Sequence, residues 1–195
     1  AKAHTALKIT LSGDPTSTVS MTLTGGGSAV SIVASVTDNA DLTELLTVIN
    51  TNSSTTGVTA EFNGTDKSAI ILRESDGDDI TIEGFAATDS GSSAVAATIT
   101  KQSNFAGTAF TTGVTITSAG NDSTIATGVV RMESTKSFTY SGSTGVAATG
   151  YTGASASGVS SLSKISAIAV GSQANAEAAI GVLDGAIQMV NNSRA

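Results

Sequence analysis

The sequence predicts an α+β fold that is mainly β, with antiparallel sheets, one short inserted helix and a carboxyl-terminal coiled-coil-type helix. Three observations point to this class. Apolar residues alternate with Ser and Thr along the first part of the chain, the spacing becomes helical near residue 42, and a heptad-like pattern fills the carboxyl-terminal end. The length of 195 residues suits one large domain or two small ones.

The amino-terminal segment predicts three strands. Two runs have an apolar residue at every second position: Leu7, Ile9 and Leu11, and then Val19, Met21 and Leu23. Such alternation, with Thr and Val enriched, is typical of half-buried strands. Residues 13–15 and the triglycine at 25–27 are turn signals after each run, and a third strand fits residues 30–36.

The spacing changes at Asp41. Asp41 and Glu44 have the spacing of a capping box, in which an acidic cap accepts an early backbone N–H and the Glu reaches back. Apolar residues then follow at helical intervals: Leu42, Leu45, Leu46 and Ile49. The sequence predicts a short amphipathic helix at about 40–52, laid against the sheet with its leucine stripe in the core.

Strands resume after this helix. Asn63 and Gly64 form the favoured two-residue hairpin turn, with alternating residues before it and a return strand at 69–72. A turn at 76–79 precedes the next strand. Further strands are predicted at residues 80–82, 114–117 and 125–132. Residues 141–161 are rich in Gly, Ser and Ala, which predicts a solvated loop or a linker.

Composition excludes several classes of function. The chain has no cysteine and one histidine, so thiolate zinc sites, disulfides and histidine clusters are excluded. Its net charge of −7 argues against a nucleic-acid-binding surface. No apolar run approaches the roughly 18 residues that a membrane span needs. We therefore expect no nucleic-acid partner, no membrane span and no cofactor.

A calcium loop is the first catalytic or binding alternative. Asp76, Asp78 and Asp79 alternate around a glycine, as the acidic ligands of calcium loops do. The distal bidentate Glu of such a loop is missing, because the twelfth position is Ala87. A solvated hairpin turn is the favoured interpretation.

Paired carboxylates are the second alternative. Two pairs could supply the two carboxylates of a glycoside hydrolase: Glu74 with Asp76, or Glu61 with Asp66. Such pairs need an apolar or aromatic cleft to shift their pKa, and a chain with 4% aromatic residues cannot easily build one. His4 is a poor general base at an end that we expect to fray. The sequence predicts no enzyme, no catalytic residue and no metal site.

The carboxyl-terminal helix is the most regular pattern. Ser172 can cap it, and its apolar seam steps by four, three, four and three: Ala176, Ile180, Leu183, Ile187 and Val190. We predict that this seam is a subunit or helix-packing interface. It needs a partner helix, and no earlier segment is long enough to supply one, so we expect the chain to be a fragment whose partner helix was removed or lies on another subunit.

Two stretches resemble a known family. Residues 178–195 have an Ala-rich helix with Leu before Asp, then Ala-Ile-Gln, a Val and a terminal Arg-Ala, and residues 165–168 match the lead into it. This resembles the start of the carboxyl-terminal helical segment of bacterial flagellin. Residues 36–82 resemble the insertion motif of flagellin outer domains, through the helix at 41–50 and the stretches at 56–60 and 75–80.

The resemblance implies a structural subunit of the flagellar filament, extracellular and exported through the flagellar secretion channel, which would explain the absence of a cleavable signal. Three regions follow: an outer β domain at 1–90, a second β-rich region at 91–160, and a lead-in with the inner helix at 161–195. The implied partners are other flagellin subunits in a homopolymer. An innate-immune receptor is a further implied partner, through helices that this chain lacks.

A surface glycan- or host-binding module, similar to an adhesin, is the alternative. A module of this kind needs exposed aromatic rings in a groove. The available rings are Phe62, Phe85, Phe105, Phe110, Phe138, Tyr140 and Tyr151.

Overall fold

A computed structural model describes residues 2–13, 17–89, 95–105, 107, 109–111, 113–118, 120–132, 134, 136–141, 157–159, 166, 168, 170–171 and 173–194. The chain divides into two compact units, Ala1–Arg131 and Met132–Ala195. The prediction of a mainly β protein with antiparallel sheets and a carboxyl-terminal helix is confirmed.

The described residues form these elements in chain order: β1 (Lys2–Ser12), β2 (Ser17–Thr24), β3 (Val30–Val36), α1 (Thr43–Thr51), α2 (Ser53–Thr56), β4 (Thr59–Asn63), β5 (Asp66–Glu74), β6 (Ile80–Asp89), β7 (Ala96–Lys101), β8 (Val114–Thr117), β9 (Thr124–Ala126), β10 (Val129–Arg131), β11 (Thr139–Ser141), β12 (Ser157–Val159) and α3 (Gln173–Arg194). No helix among them combines the length and apolarity that crossing a bilayer requires.

Two antiparallel sheets make up the first unit. One has the order β4-β5-β1-β7-β8, with β10 also paired to β1, and the other has the order β3-β2-β6-β9. The inward residues of both sheets belong to one core cluster, as in a β-sandwich. The predicted division near residue 90 falls within this unit, where β7 pairs with β1 and β9 pairs with β6.

The alternating apolar runs face the core. Leu7, Ile9 and Leu11 of β1 are buried, and so are the apolar positions of β2. Phe85 is the one aromatic residue in the core cluster formed by the described residues, and nearly all of the other members are aliphatic. The early strand predictions are therefore confirmed.

The inserted helix begins later than predicted: α1 begins at Thr43 and is followed directly by α2. The capping-box prediction is confirmed for Asp41, which accepts an early backbone N–H, and is wrong for Glu44, because the backbone N–H of Asp41 donates to the Asp38 carbonyl at 2.9 Å. Asp41 accepts the backbone N–H of Thr43 at 3.0 Å, within an Asx-type turn two residues long. The leucine stripe is confirmed as core, since Leu42, Leu45 and Ile49 are at most 1% exposed.

The β4–β5 hairpin turn is displaced by one residue from its predicted position. Asn63 is the last residue of β4 and pairs with Asp66, so Gly64 and Thr65 form the turn. Gly64 takes φ +68°, a conformation that glycine adopts without a steric penalty. An irregularity in the ladder between Phe62 and Asn63 accounts for the shift.

Candidate functional site

The predicted seam lies on α3, in the second unit. This helix has 22 residues and is about 33 Å long. Because the seam steps alternate between four and three residues, all five side chains fall within about 80° of the helix circumference. Ser172, the predicted cap, lies outside the described residues.

The large seam residues are exposed. Ile180, Leu183, Ile187 and Val190 are 56%, 45%, 58% and 55% exposed, and Ala176 is half-buried. By contrast, the aliphatic residues of the sandwich core are at most 8% exposed, although four single residues on the outside of its strands are as exposed as the seam: Val33, Val114, Ile125 and Val130. The row of exposed aliphatic side chains leaves apolar area that a partner surface can cover. The assignment of these residues to an interface stays a prediction.

A buried carboxylate organises the turn at 76–79. Glu74, at the end of β5, is 3% exposed. Its carboxylate accepts the backbone N–H groups of Asp76 at 3.0 Å, Gly77 at 2.6 Å and Asp78 at 2.7 Å. The Thr5 hydroxyl donates to the Asp78 carbonyl at 2.7 Å. The turn is thus held by one anion surrounded by backbone donors, which is a structural role.

The triglycine loop approaches this turn. An open groove of about 410 Å³ lies between residues 24–26 and residues 77–79. Gly27 and Ser28 donate their backbone N–H groups to the carbonyls of Thr56 and Thr55, at 3.1 and 2.8 Å. A Cβ on Gly27 would lie 2.1 Å from the Thr55 oxygen, so glycine is required for the close approach.

The groove beside the 76–79 turn is lined by two acidic residues, Asp78 and Asp79. Among the residues that the structure describes, no three acidic or histidine side chains are grouped so that they could hold a metal ion. The Glu74 oxygens already accept three backbone donors, and Asp78 carries its side chain beside the triglycine loop. The favoured interpretation of the 76–79 segment as a hairpin turn is wrong, because β5 and β6 belong to different sheets and the segment connects one sheet to the other.

In the second pair of carboxylates, each member binds a different neighbouring residue. Glu61 accepts from the Arg73 guanidinium at 2.6 Å, on the outer face of the larger sheet. Asp66 accepts the hydroxyl and backbone N–H of Ser68, and these two bonds lower the pKa of the Asp66 carboxyl below its ordinary value of 3.8.

The expectation that His4 lies at a frayed end is wrong. His4 belongs to β1, opposite Val129 of β10, and its carbonyl accepts the Gln102 side-chain amide at 2.8 Å. Its ring meets Phe105 edge-on, with 4.5 Å between ring centroids. No pattern in the sequence predicted this packing, because β10 and the segment after β7 are distant from His4 in the chain.

The phenylalanine rings are partly covered. Phe85 is buried, and the other rings in the first unit each lie beside a cation: Phe62 beside Lys67 at 5.9 Å, Phe105 beside Arg131 at 5.7 Å and Phe110 beside Lys8 at 5.2 Å. Each of these cations lies over one face of its ring, on which a sugar could otherwise stack. The side chains of Tyr140 and Tyr151 lie outside the described residues.

Comparison with known proteins adds no assignment. No protein-family model matches the chain, and no curated protein matches it with significance.

Proposed function

We propose that this chain is an extracellular structural subunit of the bacterial flagellar filament. The sandwich of the first unit forms an outer, surface-exposed domain, and α3 forms part of an inner coiled-coil-type packing helix. The observation that carries the proposal is the row of exposed aliphatic side chains within one arc of α3. The resemblance of residues 178–195 and 36–82 to flagellin supports it.

The energy of assembly comes from covering the seam. Burial of one Leu, Ile or Val side chain contributes about 1.5–3 kcal/mol. The four large seam residues together therefore favour pairing with a matching helix by several kcal/mol, before the entropy cost of association. The proposed working chemistry is self-association with other copies of the subunit.

The sandwich supports the role of an outer domain. All residues of its main core cluster lie within the first 131 residues, so this unit has a hydrophobic core of its own. Its surface carries many Ser and Thr hydroxyls, and the whole chain has a net charge of −7, which favours solubility where a filament surface meets water.

A matched pair of substitutions tests the seam in the bacterium that makes the protein. Leu183→Asp places a charge in the seam and should abolish filaments. Met189→Asp is the control, because Met189 is 58% exposed but lies roughly 140° around the helix from the middle of the seam. Electron microscopy of sheared cells, with antibodies against this chain, gives the readout.

Two results would contradict the proposal: filaments of normal length from the Leu183→Asp strain, or antibody labelling confined to structures other than the filament. A glycan array probed with the chain addresses the adhesin-like alternative. Saturable binding at micromolar concentration, together with normal filaments in the Leu183→Asp strain, would favour that alternative.

A further inference from the structure

The β4–β5 hairpin contains the one Asn-Gly sequence of the chain, Asn63-Gly64. In such a sequence the backbone nitrogen of the glycine can attack the side-chain amide carbon of the asparagine. The two atoms close a small, unstrained ring, and glycine has no Cβ to obstruct the approach. The reaction needs only water, but the asparagine side chain and the backbone after it must be able to move into the ring geometry.

Asn63 meets this requirement. It is exposed, and so are Gly64, Thr65 and Asp66 after it. No hydrogen bond holds the Asn63 side-chain amide within the described part of the chain. Gly64 has φ +68°, and a Cβ at this position would meet nothing within 4 Å. The reacting groups therefore lie in solvent, at the tip of the hairpin.

One backbone hydrogen bond must open before the ring can close. The Gly64 N–H donates to the Phe62 carbonyl at 2.9 Å, in a turn of three residues. The ladder between β4 and β5 is irregular at the same place, between Phe62 and Asn63, and β5 is the one strand with which β4 pairs among the described elements. Bonds at the exposed end of a hairpin open far more often than bonds in the core. The Gly64 nitrogen can therefore be released while the sandwich stays folded.

The other asparagines are less reactive for two reasons. Each of them precedes a residue that has a Cβ. Four of them also use the side-chain amide in a hydrogen bond to the backbone: Asn39 with Gly13, Asn50 with Ala60, Asn52 with Val48 and Asn104 with Ala109. Asn63 is thus distinguished both by its sequence and by its surroundings.

We propose that Asn63 is a site of spontaneous deamidation, and that its conversion opens the β4–β5 hairpin. A bond forms between the Gly64 nitrogen and Asn63 Cγ, the Cγ–Nδ2 bond breaks, and the amide leaves as ammonia with the proton of the Gly64 nitrogen. Water then hydrolyses the cyclic imide without any oxidation or reduction. Attack at Cγ gives aspartate, and attack at the backbone carbonyl carbon gives isoaspartate, in which the main chain runs through Cβ and Cγ. This site does not depend on the proposed filament role.

Both products disturb the pair that Asn63 forms with Asp66. Aspartate places a carboxylate directly opposite the Asp66 carboxylate, which accepts two hydrogen bonds from Ser68. Isoaspartate lengthens the main chain of β4 by a carbon atom, so the strand cannot keep its register. The next residue, Lys67, accepts the Leu42 N–H on its carbonyl at 3.0 Å. Loss of the pair therefore loosens the end of the sheet that holds the segment before α1.

Incubation of the purified chain at mildly alkaline pH, followed by mass spectrometry of its fragmented peptides, tests the site. Asn63 should lose its amide at least about tenfold faster than Asn52, a ratio that corresponds to roughly 1.4 kcal/mol of activation free energy. Aspartate and isoaspartate should both appear, because the cyclic imide gives both. Asn63→Gln is the matched control and should stay intact, since glutamine would have to close a larger ring.

Three results would overturn the assignment of the site. The first is an equal rate at Asn63 and Asn52. The second is aspartate without isoaspartate, which indicates direct hydrolysis of the amide. The third is a native chain that stays unconverted while the same chain in urea is converted completely, because the folded turn would then protect Asn63.

Hydrogen exchange tests the effect on the hairpin. The added negative charge allows the converted chain to be separated by anion exchange. In this form the amides of β4 and of the first half of β5 should exchange faster than in the unconverted chain, whereas those of the β2–β3 hairpin in the other sheet should not change. Asn63→Gln after the same incubation controls for other damage. Unchanged exchange in β4 and β5 after conversion would overturn the opening of the hairpin.

Discussion

Removal of the Glu74 carboxylate should destabilise the first unit through the turn at 76–79. Glu74 is almost fully buried and is the common acceptor for the backbone N–H groups of Asp76, Gly77 and Asp78. In the Glu74→Ala variant these three backbone N–H groups lose their acceptor in the protein and must hydrogen-bond to water instead.

The magnitude follows from the number of bonds and the exposure of the donors. Each hydrogen bond to a charged group contributes about 1.5–3 kcal/mol. Asp76 and Asp78 are exposed, so water can replace part of what is lost. We therefore expect Glu74→Ala to lower the free energy of unfolding by about 2–4 kcal/mol, and Glu74→Gln by less, because the amide oxygen still accepts.

Urea denaturation at neutral pH, followed by circular dichroism, measures this change. Glu83→Gln is the control, since Glu83 is exposed on β6 and its substitution changes the net charge by the same amount as Glu74→Gln. We expect the control to remain within about 0.5 kcal/mol of wild type. A loss below about 0.5 kcal/mol for Glu74→Ala would refute the reasoning that this carboxylate holds the turn.

Two further substitutions test the loops. Gly27→Ala should lower the melting temperature by several degrees, because its Cβ would lie 2.1 Å from the Thr55 carbonyl oxygen. Gly171→Ala is the control, since a Cβ there meets nothing within 4 Å. Equal melting temperatures of the two variants in calorimetry would contradict this prediction. Hydrogen bonds from the Ser68 hydroxyl and, to a lesser extent, the Ser68 backbone N–H hold the pKa of Asp66 below 3.8. The ionised Asp66 carboxylate therefore stabilises the fold above its ordinary pKa, and this contribution is lost as the pH falls through the lowered pKa. Asp66→Asn should therefore reduce the melting temperature most near neutral pH and least once the pH lies below the lowered pKa of Asp66. A difference that stays constant from neutral pH into the acid range would sink the prediction.

Local patterns predicted most of the elements of the first unit. Leu7, Ile9 and Leu11 alternate with polar residues and are buried, because a strand directs every second side chain to the same face. The inserted helix was predicted from its Leu spacing and the acceptor role of Asp41 from its position, but the first helical residue and the bond from the Asp41 N–H to Asp38 were not. Cap geometry depends on one backbone turn at Asp41, which helical periodicity does not report.

The site was predicted less completely. The positions of the α3 seam follow from heptad spacing, and the exposure of Ile180 and Ile187 is a property of the folded chain. The role of Glu74 was missed, since its three donors come from the turn that follows β5. The available signal was an acidic residue, Glu74, two positions before an Asp-Gly sequence. The sequence does not show that this residue is buried, because a single polar residue in a strand can lie on either face.

The sequence by itself determined the fold class, the aliphatic core positions and the seam on α3, because these depend on periodicity within single elements. Tertiary structure alone decided the assignment of strands to two sheets and the close approach of Gly27 to Thr55. The reason is physical: periodicity tells which face of an element is apolar, whereas pairing partners and edges depend on contacts between residues far apart in the chain.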